Sequence, residues 1–186
     1  MSLPHILLGL LEEPASGYDI KREFEQSLSF FWSAALAQIY PALKKLEKDG
    51  LVTSWQEPSE KGPARTVYQQ TEKGREAFRD WLEEGPQLNT ERRAYLAQAY
   101  FLAQSRAPDE PRSFYEQLRD DFRARADRLT ALEDVWRDDH GPAFPDNLIG
   151  QALYEHMTFD LGQRVFRLYV DWAEDCLARI DAAEKD

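Results

Sequence analysis

A chain of 186 residues has room for one sizeable domain or two small ones, and 42% apolar residues with five Trp exclude wholesale disorder. No apolar run nears the roughly 20 residues that span a bilayer. The net charge of −11 excludes a protein that is basic all over, but residues 1–80 hold 10 Lys and Arg against 12 Asp and Glu while residues 81–186 hold 13 against 22, so the first part can still present a basic face. Met1–Leu11 has neither a basic n-region nor a small-residue cleavage site, so no secretory segment is expected. The single cysteine, Cys176, cannot close an internal disulfide or assemble a zinc cluster. A reducing cytoplasm with no membrane partner and no cofactor is the expected setting.

Ser2-Leu3-Pro4 reads as a helix start, with Leu3, Ile6, Leu7, Leu10 and Leu11 at helical spacing before Glu13-Pro14. Ser16-Gly17-Tyr18-Asp19 has the spacing of a capping box, and Ile20, Phe24 and Leu28 mark one face of a second helix. A third helix is expected to begin between Ser33 and Ala37 and run to about Asp49, its apolar stripe being Leu36, Ile39, Leu43 and Leu46. Pro41 predicts a late start or a bend in that helix; Gly50 supplies its left-handed stop.

The period then changes. Leu51–Gln56 and Arg65–Gln70 are rich in β-branched and aromatic residues, and between them Glu57–Ala64 reads as a long hairpin tip. Thr71 caps a fourth helix carrying Ala77, Phe78, Trp81 and Leu82 and ending at Gly85-Pro86. Three short helices, a hairpin and a helix are the order of a winged helix-turn-helix with a two-stranded β wing. A helix about 10–12 Å across fits a major groove about 12 Å wide. Such folds also serve as protein-interaction modules, so a scaffold that does not bind DNA is the alternative. Trp32 and Trp55 are expected in the core.

In the second half, Asn89-Thr90 caps a helix bearing Ala94, Tyr95, Leu96, Tyr100, Phe101 and Leu102, broken at Ala107–Pro111. A long helix follows with Phe114, Leu118, Phe122, Leu129, Leu132 and Trp136 near heptad spacing, ending at Asp138–Pro142. A last helix, from about Asp146 to Ala183, is apolar on two sides: Ile149, Leu153, Met157, Leu161, Leu168 and Trp172 on one, Ala152, Phe159, Phe166, Tyr169, Ala173 and Ile180 on the other. A helix greasy on two sides must bury both, which favours a second copy of the chain over a monomeric bundle. The predicted architecture is mainly α, with a DNA-binding winged helix over residues 1–86 and a helical dimerisation domain over residues 87–186. Leu153, Phe159, Phe166, Tyr169, Trp172 and Cys176 are the candidate dimer contacts.

Ile6–Leu11, Ser16–Ile20, Phe31-Trp32, Gln38–Glu47, Gly50–Val52, Tyr68 and Thr71–Arg75 together resemble the PadR family of transcriptional regulators. The resemblance runs nearly continuously over residues 3–80, and the second half is similar in architecture to the helical domain of longer PadR-like regulators. It implies a homodimer on an inverted-repeat site in double-stranded DNA, acting by default as a repressor. By position it implies Gln38, Tyr40, Lys44 and Lys45 on the recognition helix, Tyr18 and Lys21 on the second helix, and Lys61 and Arg65 on the wing. Tyr40 can equally be a core tyrosine, and lysines on helices are most often a solvated face. The wing departs from the pattern in lacking a dense basic cluster, with Glu57 and Glu60 near its tip. The resemblance also implies release by a small aromatic or apolar effector, in a pocket at a domain or dimer seam lined by Trp136, Phe166, Tyr169 and Trp172.

No G-x-G-x-x-G, P-loop, G-x-S-x-G or H-E-x-x-H occurs, and His5, His140 and His156 have no Glu three residues before them. Glu155 and His156 point about 100° apart on a helix and would not chelate together. The sequence reads as a regulator rather than an enzyme.

Overall fold

Helix α1 (Leu3–Leu10) opens the computed structural model, which describes residues 3–28, 31–32, 34–59, 62–88, 93–107 and 109–184. The expected roles of Ser2, Ser33, Lys61, Asn89 and Thr90 lie outside the described residues. The chain divides into two compact units, Met1–Asn89 and Thr90–Asp186.

In the first unit, α1 is followed by a two-residue strand β1 (Ala15–Ser16) and helix α2 (Gly17–Glu23), which passes into a single π-helical turn at Phe24–Leu28. The capping box expected at α2 is complete: the Asp19 amide donates to Ser16 Oγ at 3.2 Å and the Ser16 amide to Asp19 Oδ2 at 3.1 Å. Helix α3 spans Leu36–Lys48 and continues through Pro41. Its start is supported by half a capping box, in which Gln38 Oε1 accepts the Ala35 amide at 3.1 Å, since Ala35 has no side-chain acceptor to return the bond. Gly50, at φ 73°, ends α3 in a Schellman arrangement, with Leu51 N–H on the Leu46 carbonyl and Gly50 N–H on that of Glu47.

Strands β2 (Val52–Ser59) and β3 (Gly62–Gln70) form the wing, and β1 adds to the far edge of β3, giving an antiparallel sheet in the order β1-β3-β2. Two expectations change here. The sheet has three strands rather than two, because Ala15 and Ser16 pair with Tyr68 and Val67. The strands also run well into the stretch read as a long tip, with Glu57 opposite Arg65 and a register shift between Glu57 and Ser59. Pro58 sits at that shift, where a residue without an N–H costs the ladder least.

Helix α4 (Glu72–Glu83) is capped by Thr71, whose Oγ1 accepts the Gly74 amide at 3.1 Å. Leu7, Leu8, Leu11, Ile20, Phe24, Ile39, Leu43, Leu46, Val52 and Tyr68 form the unit's buried core, and Trp32 packs against its edge. Trp55 does not join them. It lies 37% exposed on β2, donating Nε1–H to Glu57 Oε1 at 3.1 Å.

The second unit contains α5 (Ala94–Tyr100), a 3₁₀ turn at Leu102–Gln104, and two long helices, α6 (Glu110–His140) and α7 (Gly150–Ala183). The two long helices are antiparallel: Arg112 pairs with Asp181 and Glu184, Arg123 with Glu174, and Gln163 Nε2 donates to Glu133 at 3.0 Å. Between them lie Tyr115 on Trp172, Phe122 on Phe166 and Tyr169, and Trp136 on Phe159. Gly141, at φ 77°, stops α6 as the sequence predicts, whereas α7 starts at Gly150, a turn later than Asp146.

Two substitutions test these local arrangements. A Cβ on Gly74 would lie 2.0 Å from the backbone oxygen of Leu51. Gly74→Ala should therefore cost more than about 2 kcal/mol in chemical denaturation, because neither backbone can step aside cheaply. Asp19 is held below the usual carboxylate range, first by the Ser16 hydroxyl and then by the Ser16 amide, Arg65 and Arg22, against partial burial. With the folded pKa depressed, the stability it contributes is present above its unfolded value of about 4 and lost as pH falls through the lowered one. Asp19→Ala should lower the denaturation midpoint at pH 7, and the gap to the unsubstituted protein should close on acidification below about pH 4.

Candidate nucleic-acid interface

At 100° per residue, α3 sets Ile39, Leu43 and Leu46 on one side and Tyr40, Pro41, Lys44, Lys45, Lys48 and Gln38 across an arc of about 160° on the other. The first three are buried and the last six exposed, so packing of the inner stripe fixes which residues face out. Lys44, Lys45 and Lys48 form no ion pair among the described residues. At the edge of this arc Glu47 is drawn aside, accepting Ser54 Oγ–H at 2.5 Å.

The candidates on this surface differ in what they are free to do. Tyr40 is 42% exposed, and its ring lies so close to Gly17 that a Cβ there would sit 2.6 Å from the ring. It is both a packing residue between α2 and α3 and a surface group, which joins the two alternatives the sequence leaves open. Gln38 is exposed, but its Oε1 is engaged at the start of α3, and bidentate reading of adenine uses both ends of the amide. Tyr18 is exposed on α2, where Lys21 pairs with Glu25 at 3.1 Å and Arg22 with Asp19 at 3.4 Å.

Arg65 of the wing is more tightly held. Its Nη2 and Nε lie 2.9 and 3.2 Å from Glu57 Oε2, and its Nη1 is 3.6 Å from Asp19 Oδ2. Sequence reasoning puts Glu57 near a loop tip and misses this pairing. The hairpin register, once assigned across Pro58, sets the two residues opposite each other. Lys48, one turn beyond Lys44, shares its face, as the helical spacing of the lysines leads one to expect.

The second-unit candidates separate into two groups. Phe159 and Phe166 are buried within the unit, packed against Trp136 and Phe122. Leu153, Tyr169, Trp172 and Cys176 are half-buried, and the exposed apolar side of α7 consists of Tyr154, Met157, Leu161 and Leu168. Tyr169 and Trp172 line one shallow groove with Arg93, Tyr95, Leu96 and Leu168. Trp136 packs on Phe159, thirteen residues or about 20 Å along α7 from Trp172, so within one protomer the two do not line the same groove. Phe166 lies under Phe122 rather than in the groove.

Residues 6–80 match the transcriptional regulator PadR-like family, and residues 91–181 match the virulence activator alpha C-terminal family. The negative transcriptional regulator PadR of Bacillus subtilis (strain 168) is 29% identical over 181 residues, covering 96% of this chain and 97% of the relative. Bacillus subtilis PadR in complex with operator DNA is 27% identical and superposes with a TM-score of 0.79 over 96% of this chain and 97% of that one. The same protein in complex with p-coumaric acid gives 29% and 0.65, over 96% and 95%. The Vibrio cholerae virulence activator AphA is 29% identical, with a TM-score of 0.75 over 98% and 99% of the two chains. With both units matched and the likeness running the length of each chain, the protein belongs to the PadR-like family of transcriptional regulators.

Proposed function

We propose that the protein is a cytoplasmic negative regulator that binds an inverted-repeat operator as a homodimer, with α3 in the major groove and the wing beside it. The observation that carries this reading is the outer arc of α3, where Lys44, Lys45 and Lys48 are exposed and unpaired among the described residues while every inward position is apolar core. Three such charges would supply the sequence-independent attraction to phosphate, and Tyr40 and Gln38, the latter through its amide nitrogen alone, are our candidates for contact with base edges. Bacillus subtilis PadR, similar along its whole length, has been solved with operator DNA, which supports a DNA-binding role for this chain.

The homodimer in this reading is supported by the apolar side of α7 that α6 leaves uncovered. Leu161 and Leu168 are 61% and 62% exposed, with Tyr154 and Met157 in line. Contiguous apolar patches mark places where another chain, a ligand or a membrane docks, and we read this one as covered by a second copy. An inverted-repeat site asks a dimer for two α3 helices about 34–36 Å apart, on successive turns of the duplex. The groove lined by Arg93, Tyr95, Leu96, Leu168, Tyr169 and Trp172 is our candidate for the effector, by analogy with the p-coumaric acid complex. Its volume of about 260 Å³ is below the roughly 300–1,000 Å³ of sites for drug-sized ligands, so only a small aromatic or apolar molecule would fit.

Selection of random duplex DNA on the purified protein at two salt concentrations tests the reading directly. An enriched inverted repeat whose affinity falls steeply with salt is the expected result, and a folded dimer with no enrichment would point to a protein-interaction scaffold. Lys44→Gln should weaken binding to all duplexes and flatten the salt slope by roughly 1 per protomer, with melting temperature unchanged. Leu161→Asp should yield folded monomers in sedimentation and lower operator affinity by roughly 10²-fold or more, since the second half-site contact would no longer be intramolecular.

A further inference from the structure

The cations of the first unit are not equivalent, and the difference is built by the fold. Those on α3 face solvent without partners among the described residues, whereas Arg65 faces two carboxylates from two different elements. Glu57 is its directly opposed cross-strand partner, and Asp19 approaches from α2. Glu57 is itself fixed on both sides, with one oxygen taking two N–H groups of Arg65 and the other taking Trp55 Nε1–H. With Arg22 on Asp19, the cluster contains two guanidinium groups and two carboxylates and carries no net charge.

A phosphate reaching the wing through Arg65 must therefore either pull the guanidinium from Glu57 or lie a few ångströms from that carboxylate. Both are unfavourable: the first breaks a charge-assisted fork, and the second sets like charges together. From this geometry we propose that Glu57 restrains DNA binding, holding the wing guanidinium away from phosphate until α3 has docked and brought a phosphate alongside. The proposal rests on the DNA-binding reading above and adds to it a residue that opposes binding. Glu57 stays ionised throughout the physiological range, because Arg65 first and Trp55 second hold its carboxyl below the usual value.

The test uses the full-length protein and fluorescence anisotropy with a non-operator duplex, which reports phosphate binding alone, at several salt concentrations. Glu57→Gln should tighten binding roughly threefold to tenfold and steepen the salt slope by about 0.9 for each further phosphate neutralised per protomer. Arg65→Gln should abolish that tightening, so that adding Glu57→Gln to it changes nothing, while Glu57→Asp should behave as the unsubstituted protein. Weaker binding by Glu57→Gln at unchanged melting temperature would overturn the proposal, making Glu57 a strut that aims Arg65 at DNA. Tightening that persists in the Arg65→Gln background would overturn it too, since the effect would then be one of overall charge. If the unsubstituted protein binds no duplex at low salt, the DNA-binding reading itself falls, and the proposal with it.

Discussion

The carbonyl oxygens of Asp49, Gly50 and Leu51, just past the end of α3, are all bound by the residues that begin α4. Lys73 Nζ donates to Asp49, Thr71 Oγ1 to Gly50 and the Thr71 amide to Leu51, at 2.8 to 3.0 Å. These carbonyls lie in the turn after the helix, so the bonds satisfy backbone groups that otherwise need water. It also closes a loop. The chain leaves α3, runs out along β2, returns along β3 and is tied back to its point of departure. Gly74 is required at the closure because any side chain there would meet the Leu51 backbone. The wing is thus anchored to the end of α3, and a displacement of one carries the other with it.

Ile39, Leu43 and Leu46 complete the constraint from the inside. Burying them against α1 and α2 leaves α3 no rotational freedom, so the arc from Tyr40 round to Gln38 is presented at one fixed angle. The second unit uses the same logic with a different result. Phe159, Phe166, Ala173 and Leu177 seat α7 on α6, which turns Met157, Leu161 and Leu168 outward. The first helix shows lysines on its free side, the second shows leucines, and the two surfaces attract different partners accordingly.

Local signals are legible in the sequence and pairings are not. The Ser16–Asp19 box, the Gly50 and Gly141 stops, the Thr71 cap and the buried stripe of α3 depend on residues within one turn of each other, and each stands where the spacing puts it. Strand β1 is two residues long and carries no periodicity, so only its partner β3 reveals it. Pro58 and Pro63 make Glu57–Ala64 look like a loop, which hides the register that sets Glu57 against Arg65. Trp55 shows the same limit, since alternation assigns a face to a strand residue but cannot say whether that face is covered. For α7 the two apolar sides are visible from spacing, yet which side α6 covers depends on Phe122, Leu129 and Trp136, far away in sequence.

Pro58 has a mechanical consequence. The hairpin is clamped at its root by α4 and interrupted partway along, where the register shifts between Glu57 and Ser59. Cross-strand pairing is regular from the clamp out to Glu57 and Arg65 and loses its register just past them, so the two parts of the hairpin are tied to the core to different degrees. On the proposed DNA-binding reading, the paired stretch up to Glu57 would move with α3, and the residues past the shift would set only how far the wing extends. Changes of sequence beyond the shift would alter reach without retuning the helix, which separates two properties that a stiff hairpin would force to vary together.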